Sequence, residues 1–178
     1  MDRTDHDLDL AVELVNTYWV LASPPDGLTG VDAYQRILRD VGEDALAAQL
    51  RPEDLAGLRI LRDELKPAFA AGSAAAAVRV LDPLLRDAAI PVLLAVDDDA
   101  VRWDWGAGQQ GLPALRARLL TALATHLIHH GTTRTGVCQA DPCNCVYVDR
   151  SRARTRRYCC DQCNDRAAAA AYRRRKTG

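Results

Sequence analysis

Six cysteines constrain this chain more than any other feature, because all of them fall in its last quarter: Cys138, Cys143, Cys145, Cys159, Cys160 and Cys163. The spacing is Cys138-x4-Cys143, fifteen intervening residues, then Cys159-x3-Cys163. Two cysteine pairs joined by a short connection form the pattern of a structural zinc site, where Zn²⁺ takes four thiolates in a tetrahedron at about 2.3 Å. The stretch that carries them is about forty residues long and poor in apolar side chains, too little surface to fold unaided. Metal binding, worth roughly 10–16 kcal/mol of apparent folding free energy, makes up that deficit. Four thiolates also leave no coordination position for water, so the site reads as structural. The candidate ligands are Cys138, Cys143, Cys159 and Cys163. Cys145 and Cys160 stand as alternatives to their neighbours, or as spare thiols open to oxidation. Cys143 is preferred to Cys145 because it closes the turn before a short strand expected at Val146–Val148.

Charge divides the chain at the same place. The whole sequence of 178 residues carries a formal charge of −1, from 23 Lys+Arg and 24 Asp+Glu. Ten of the basic residues lie between Arg150 and the C-terminus, opposed only by Asp161 and Asp165, so this segment carries +8. Positions 1–149 keep the other 13 basic and 22 acidic residues, a net of −9. Such asymmetry predicts two modules with different partners. The boundary is expected near 131–137, where GTTRTGV reads as a linker.

The first module, 1–131, reads as mainly α. Leu10, Leu14 and Tyr18 recur at helical spacing within 7–21, and a loop with Pro24, Pro25, Gly27 and Gly30 follows. Short helices are expected over about 32–41 and 44–50. Pro52 suits the first turn of a helix striped by Leu55, Leu58, Leu61, Leu65 and Ala68, which Pro67 should kink or end. Ser73 is a candidate N-cap for an alanine-rich helix to about Leu85, interrupted or terminated by Pro83. One segment departs from helix: an apolar run at 91–96, a turn at Asp97–Asp99, then Val101, Trp103 and Trp105 alternating with Arg102 and Asp104. Period two predicts a β-hairpin with one buried face. The last helix of the module, from about Leu112 to His130, has a stripe of Leu112, Leu115, Leu119, Leu123 and Leu127, with Gly131 as its stop.

The second module, 132–178, is expected to be a treble-clef-like zinc finger, a β-hairpin plus a helix from Asp161 onward, with SRARTRR as the turn and return of the hairpin. Its basic residues suit a polyanion: Arg and Lys neutralise phosphates and release counterions. Arg150, Arg152, Arg154, Arg156, Arg157, Arg166, Arg173, Arg174, Arg175 and Lys176 are the candidate DNA-binding residues, and double-stranded DNA is the expected partner. No base-reading code is legible. The competing reading is a zinc-stabilised interaction module that docks a protein partner.

The finger resembles the CGNR zinc finger, named for a Cys-Gly-Asn-Arg stretch after an Arg-aromatic-Cys segment. RRYCCDQCNDR, from Arg156 to Arg166, occupies that place, and the naming quartet appears as Cys163-Asn164-Asp165-Arg166. The family's Cys-x4-Cys, aromatic strand and Asp match Cys138, Cys143, Tyr147 and Asp149, and Ser151 and the arginines after it also fit. In that alignment Cys159 is the ligand, while Cys160 sits where Ser is usual and Cys145 is extra. Upstream, Glu13-Leu14-Val15-Asn16-Thr17 is similar to the Val-Asn-Thr stretch that opens the ABATE domain, a helical module with a small sheet that usually precedes this finger. Together the resemblances imply a bacterial DNA-binding transcription regulator whose first module senses a small-molecule effector or forms a homodimer.

Other residues admit plainer readings. His126 and His130 share a helix face but lack a carboxylate to complete a metal set, so they read as core or surface histidines. Trp103 and Trp105 are candidate effector-lining residues, although alternate hairpin positions more often face a core. Asn16, inside an apolar helix, is a candidate ligand contact or, better, a hydrogen-bond partner of neighbouring backbone. The acidic turn at 97–99 lacks the Gly and Glu of a calcium loop. No catalytic residue emerges: there is no Gly-x-Ser-x-Gly and no phosphate loop, so an enzyme is not expected. The acidic N-terminus has no signal-peptide pattern, and the longest apolar run, AAIPVLLAV, is nine residues. A cytoplasmic protein without membrane association is expected.

Overall fold

The computed structural model of the chain describes residues 3–97 and 99–177. Its order is α1 (Arg3–Asn16), α2 (Val31–Asp40), α3 (Asp44–Gln49), α4 (Leu55–Phe69), α5 (Ala74–Asp87), β1 (Val92–Asp97), β2 (Ala100–Trp105), α6 (Gly111–His130), β3 (Thr135–Val137), β4 (Val146–Val148) and α7 (Asp161–Thr177). Helices predominate, with two separate two-stranded antiparallel sheets, β1–β2 and β3–β4. This is the expected fold class: mainly α, a small hairpin in the first part, then a ribbon and helix around the cysteines.

The core forms where the leucine stripes of three helices meet. Leu10 and Leu14 of α1, Leu58, Leu61 and Leu65 of α4, and Leu115, Leu119 and Leu123 of α6 are all buried in one cluster. Burying side chains of this size contributes about 1.5–3 kcal/mol each. Val146 and Val148 of β4 belong to the same cluster. The ribbon is therefore seated on α1 and α4, and the two modules share one core.

Several helix ends follow from local chemistry. Ser73 caps α5 by accepting from the Ala76 N–H at 3.2 Å. A single 3₁₀ turn, Pro52–Asp54, leads into α4. Pro67 lies two residues before the end of α4, whereas α5 runs through Pro83 to Asp87 and is not terminated by it. The first helix stops at Asn16, short of the expected Leu21. There the Thr17 hydroxyl donates back to Leu14 O at 2.6 Å, and Gly27 N bonds Thr17 O at 2.7 Å, so the chain turns into an extended bridge between Tyr18 and Asp26. Tyr18 thus leaves the helical stripe and is exposed, under the guanidinium of Arg62. Arg62 fastens this loop through Asp26 at 2.7 Å.

Two further expectations are corrected. The hairpin pairs as the period-two pattern requires, with Val92 opposite Trp105, Leu94 opposite Trp103 and Val96 opposite Val101. Its apolar face is not buried, however: most of it is open to solvent, and only its base rests on α6, where a Cβ added at Gly106 would lie 2.9 Å from the Ala117 Cβ. Asp98, in the expected acidic turn, lies outside the described residues. The supposed linker 131–137 is instead a 3₁₀ turn (Thr132–Arg134) followed by β3, and β3, not SRARTRR, is the strand that pairs with β4. Gly136 permits this pairing, because a Cβ there would lie 2.7 Å from the Tyr147 hydroxyl oxygen and 2.8 Å from its Cζ.

Candidate metal centre and nucleic-acid interface

Two turns bring the cysteines together. In the first, Cys138 N donates to Cys145 O and Cys143 N to Ala140 O, each at 2.8 Å, folding residues 138–145 back on themselves. In the second, Cys159 precedes α7 and Cys163 sits in its first turn, so the i, i+4 spacing puts both sulfurs on one side. Gln139 N donates to Arg157 O at 2.9 Å and ties the turns to each other. The four Sγ atoms of Cys138, Cys143, Cys159 and Cys163 lie within 4.8 Å of one another. Cys159 Sγ is 3.8 Å from Cys143 Sγ and 3.5 Å from Cys163 Sγ. A zinc tetrathiolate with arms of about 2.3 Å has edges of about 3.8 Å. The sulfur cage therefore fits one structural zinc ion. Cys145, though buried, and Cys160, which is exposed, stand outside the set.

The electrostatics of the bare thiols make the same point. Burial opposes ionisation of Cys143, but hydrogen bonds from Cys145 and the neighbouring thiols outweigh it and bring its pKa down to about 7. Burial and the neighbouring sulfurs push Cys159 up strongly, and burial takes Cys163 to about 12. Burial and mutual contact thus oppose ionisation of Cys159 and Cys163, an opposition that a divalent cation would relieve. Arg166 donates to Cys163 Sγ at 3.0 Å and offsets part of the formal −2 of such a cluster.

The loop between strand and helix is wound around Asp149 and Arg156. The buried Asp149 carboxylate accepts from Ser151 N at 2.8 Å and Arg156 N at 2.9 Å. Burial would raise its pKa, but these bonds hold it below the usual carboxylate range. The Arg156 guanidinium donates to Val148 O, Tyr158 O and Cys159 O and lies over the Tyr147 ring, whose hydroxyl donates to Arg156 O at 2.8 Å. Arg134 closes the other side, donating to Asp149 O and Ser151 O.

These contacts sort the ten basic residues. Arg156 and Arg166 are built into the finger, and Arg150 is paired with Asp9 at 2.7 Å and with Asp5 on α1. Arg152, Arg154 and Arg157 on the loop, and Arg173, Arg174, Arg175 and Lys176 on the last turns of α7, are exposed. At seventeen residues α7 extends about 25 Å, and among its residues of described burial only Cys163 is buried.

The remaining candidates lie elsewhere. Asn16 pairs with the β4 backbone at both ends of its amide: Nδ2 donates to Val146 O at 3.0 Å and Oδ1 accepts from Val146 N at 2.8 Å. Trp103 and Trp105, their rings 5.8 Å apart, border a cavity of about 440 Å³ between α1, β2 and α6, with Arg3, Thr121 and His129 on its walls. Beside it is a charge cluster that periodicity did not reveal: Arg118 of α6 is buried and holds Asp7 of α1 and Glu43, each at 2.5 Å. Its signal in the sequence is an arginine standing three residues from Leu115 and beside Leu119 on an otherwise apolar stripe. His6, Asp7 and Glu43 also form a possible ligand group, but Arg118 already supplies the positive charge there.

A mainly helical domain sharing its core with a four-cysteine ribbon-and-helix defines a zinc-finger protein. Residues 134–176 match the CGNR zinc finger, and residues 8–133 match ABATE, described as a putative stress-induced transcription regulator. The second match spans well over half of the sequence, so the chain belongs to the ABATE family and carries a CGNR zinc finger at its C-terminal end. A comparison with curated proteins finds no match. Among the described residues, no helix is long and apolar enough to cross a membrane.

Proposed function

We propose that this protein is a DNA-binding transcription regulator of the cytoplasm, that it catalyses no reaction, and that its finger docks on duplex DNA while its first domain receives a small-molecule effector. The observation that carries the reading is the exposed basic surface of the finger, where Arg152, Arg154 and Arg157 project from a loop pinned to the metal cage and Arg175 and Lys176 from the end of α7. The order imposed on that loop by Asp149 and Arg156 supports a docking role, since positioned cations lose less entropy on meeting phosphates than a solvated tail does. Arg157 also borders a groove of about 240 Å³ with Thr155, Tyr158 and Asn164, at the start of α7. The effector reading rests on the cavity beneath Trp103 and Trp105, whose volume falls within the usual range for small-molecule sites.

Fluorescence anisotropy of a labelled duplex at several salt concentrations tests the DNA reading. Zinc-loaded protein should bind at low salt, with log K falling by about 0.9 per phosphate contact for each tenfold rise in salt. Replacing Arg152 and Arg154 by Ala should lower that slope by about 2 if both touch phosphates. Absence of binding at low salt by zinc-loaded protein refutes the proposal.

A further inference from the structure

The β1–β2 hairpin presents an apolar face with no core beneath most of it. Direct cross-strand partners share a face, so Val92, Leu94, Val96, Val101, Trp103 and Trp105 lie together, with no charged residue among them. Relative exposure is 63% at Leu94, 73% at Val96, 70% at Val101 and 58% at Trp103. The surface continues. Ile128 of α6, 79% exposed, borders both the cavity beside the two tryptophans and an apolar groove of about 350 Å³ between α5 and α6. Val78, Leu81, Leu85 and Leu127 line that groove.

We propose that this continuous face is a homodimer interface, in which the hairpin of each copy lies against the hairpin face and α5–α6 groove of the other about a two-fold axis. The area fits. The exposed parts of these side chains amount to on the order of 800 Å², about one partner's share of a standard interface. That is above the roughly 300–600 Å² of the largest patch on an ordinary monomer. The chain supplies both a projecting apolar ridge and an apolar recess beside it, which is what a self-complementary contact requires. A two-stranded hairpin is marginal in water by itself, and a second copy would add packing over its exposed side chains. The net −9 of residues 1–149 disfavours an anionic membrane as the occupant.

Sedimentation velocity of the full zinc-loaded chain, without DNA, tests this independently of the DNA-binding reading. From about 1 to about 100 µM the protein should pass into a dimer, with the tryptophan emission shifting to the blue as Trp103 is covered. Val96→Lys with Val101→Glu, a cross-strand pair of opposite charge set on the apolar face, should weaken association at least tenfold. Because both positions are open in the single chain, the circular dichroism and zinc content of the variant should be unchanged. Ile128→Glu, outside the hairpin, should weaken association as well, which keeps the test valid if the hairpin variant misfolds. A wild-type protein that stays monomeric through this range overturns the proposal, as does a dimer indifferent to both variants. A monomer that instead binds vesicles of neutral phospholipid assigns the face to lipid and overturns it too.

Discussion

Asn16 offers the sharpest energetic test of how the finger is joined to the helical domain. Its amide stands where a neighbouring strand would stand, giving one donor to Val146 O and one acceptor to Val146 N–H at the edge of β4. Val146 is fully buried within the shared core. Truncation by Asn16→Ala leaves both of its backbone groups without a partner, and a buried group so orphaned costs about 1–3 kcal/mol. Water reaches the half-buried Asn16 site and recovers part of this, which sets the expected loss at about 2–4 kcal/mol. That is a large share of the roughly 5–15 kcal/mol of a typical domain. Urea unfolding followed by far-UV circular dichroism measures it, and a lower midpoint at unchanged m-value is the predicted signature. Asn16→Asp keeps the acceptor but sets a carboxylate against Val146 O, so it should be no better than Ala at neutral pH. A loss below about 0.5 kcal/mol for Asn16→Ala, within the noise of surface substitutions, refutes the argument that this amide couples the two parts.

Two other consequences concern buried charge. Arg118→Met leaves Asp7 and Glu43 facing each other in the core without their cation and should cost about 3–5 kcal/mol, read as a lowered thermal midpoint. Arg36→Ala, which breaks only the exposed pair with Asp32, should change it by less than about 1 kcal/mol. Burial, then the charges of His130 and Arg150, hold the His126 pKa down to about 4, against an ordinary 6.5. The unfolded chain therefore takes up this proton first. The stabilisation is complete above about pH 6.5 and is lost as the pH falls toward 4, on the order of 1–3 kcal/mol. His126→Gln should flatten the stability profile across that window, as followed by urea titrations at successive pH values.

Much of this was legible because spacing encodes geometry. The two cysteine pairs define the cage, since x4 within a turn and x3 across the entry to a helix each bring sulfurs to one side. The leucines of α4 and α6 define the core in the same way. What escaped depends on information that local pattern lacks. Period two says that Val101, Trp103 and Trp105 share a face, but not what covers it, so a buried face was expected where the chain leaves an open one. Helical spacing carried Tyr18 into α1, although the Thr17 hydroxyl and the bridge to Asp26 end the helix earlier. GTTRTGV looks like a linker because Gly and Thr are common in loops; here Gly136 is the residue that the Tyr147 ring permits. Summed charge counted Arg150, Arg156 and Arg166 with the rest of the basic tail, whereas Asp9, a set of backbone carbonyls and the Cys163 sulfur engage them.

The most direct test of the central claim is the metal content of the full chain, purified under reducing conditions and without chelator, together with amide exchange across β3, β4 and α7. The structure predicts one zinc per chain, held by Cys138, Cys143, Cys159 and Cys163, and loss of exchange protection over these elements when a chelator strips it. A chain that contains no zinc and still protects the ribbon and the start of α7 would contradict the account.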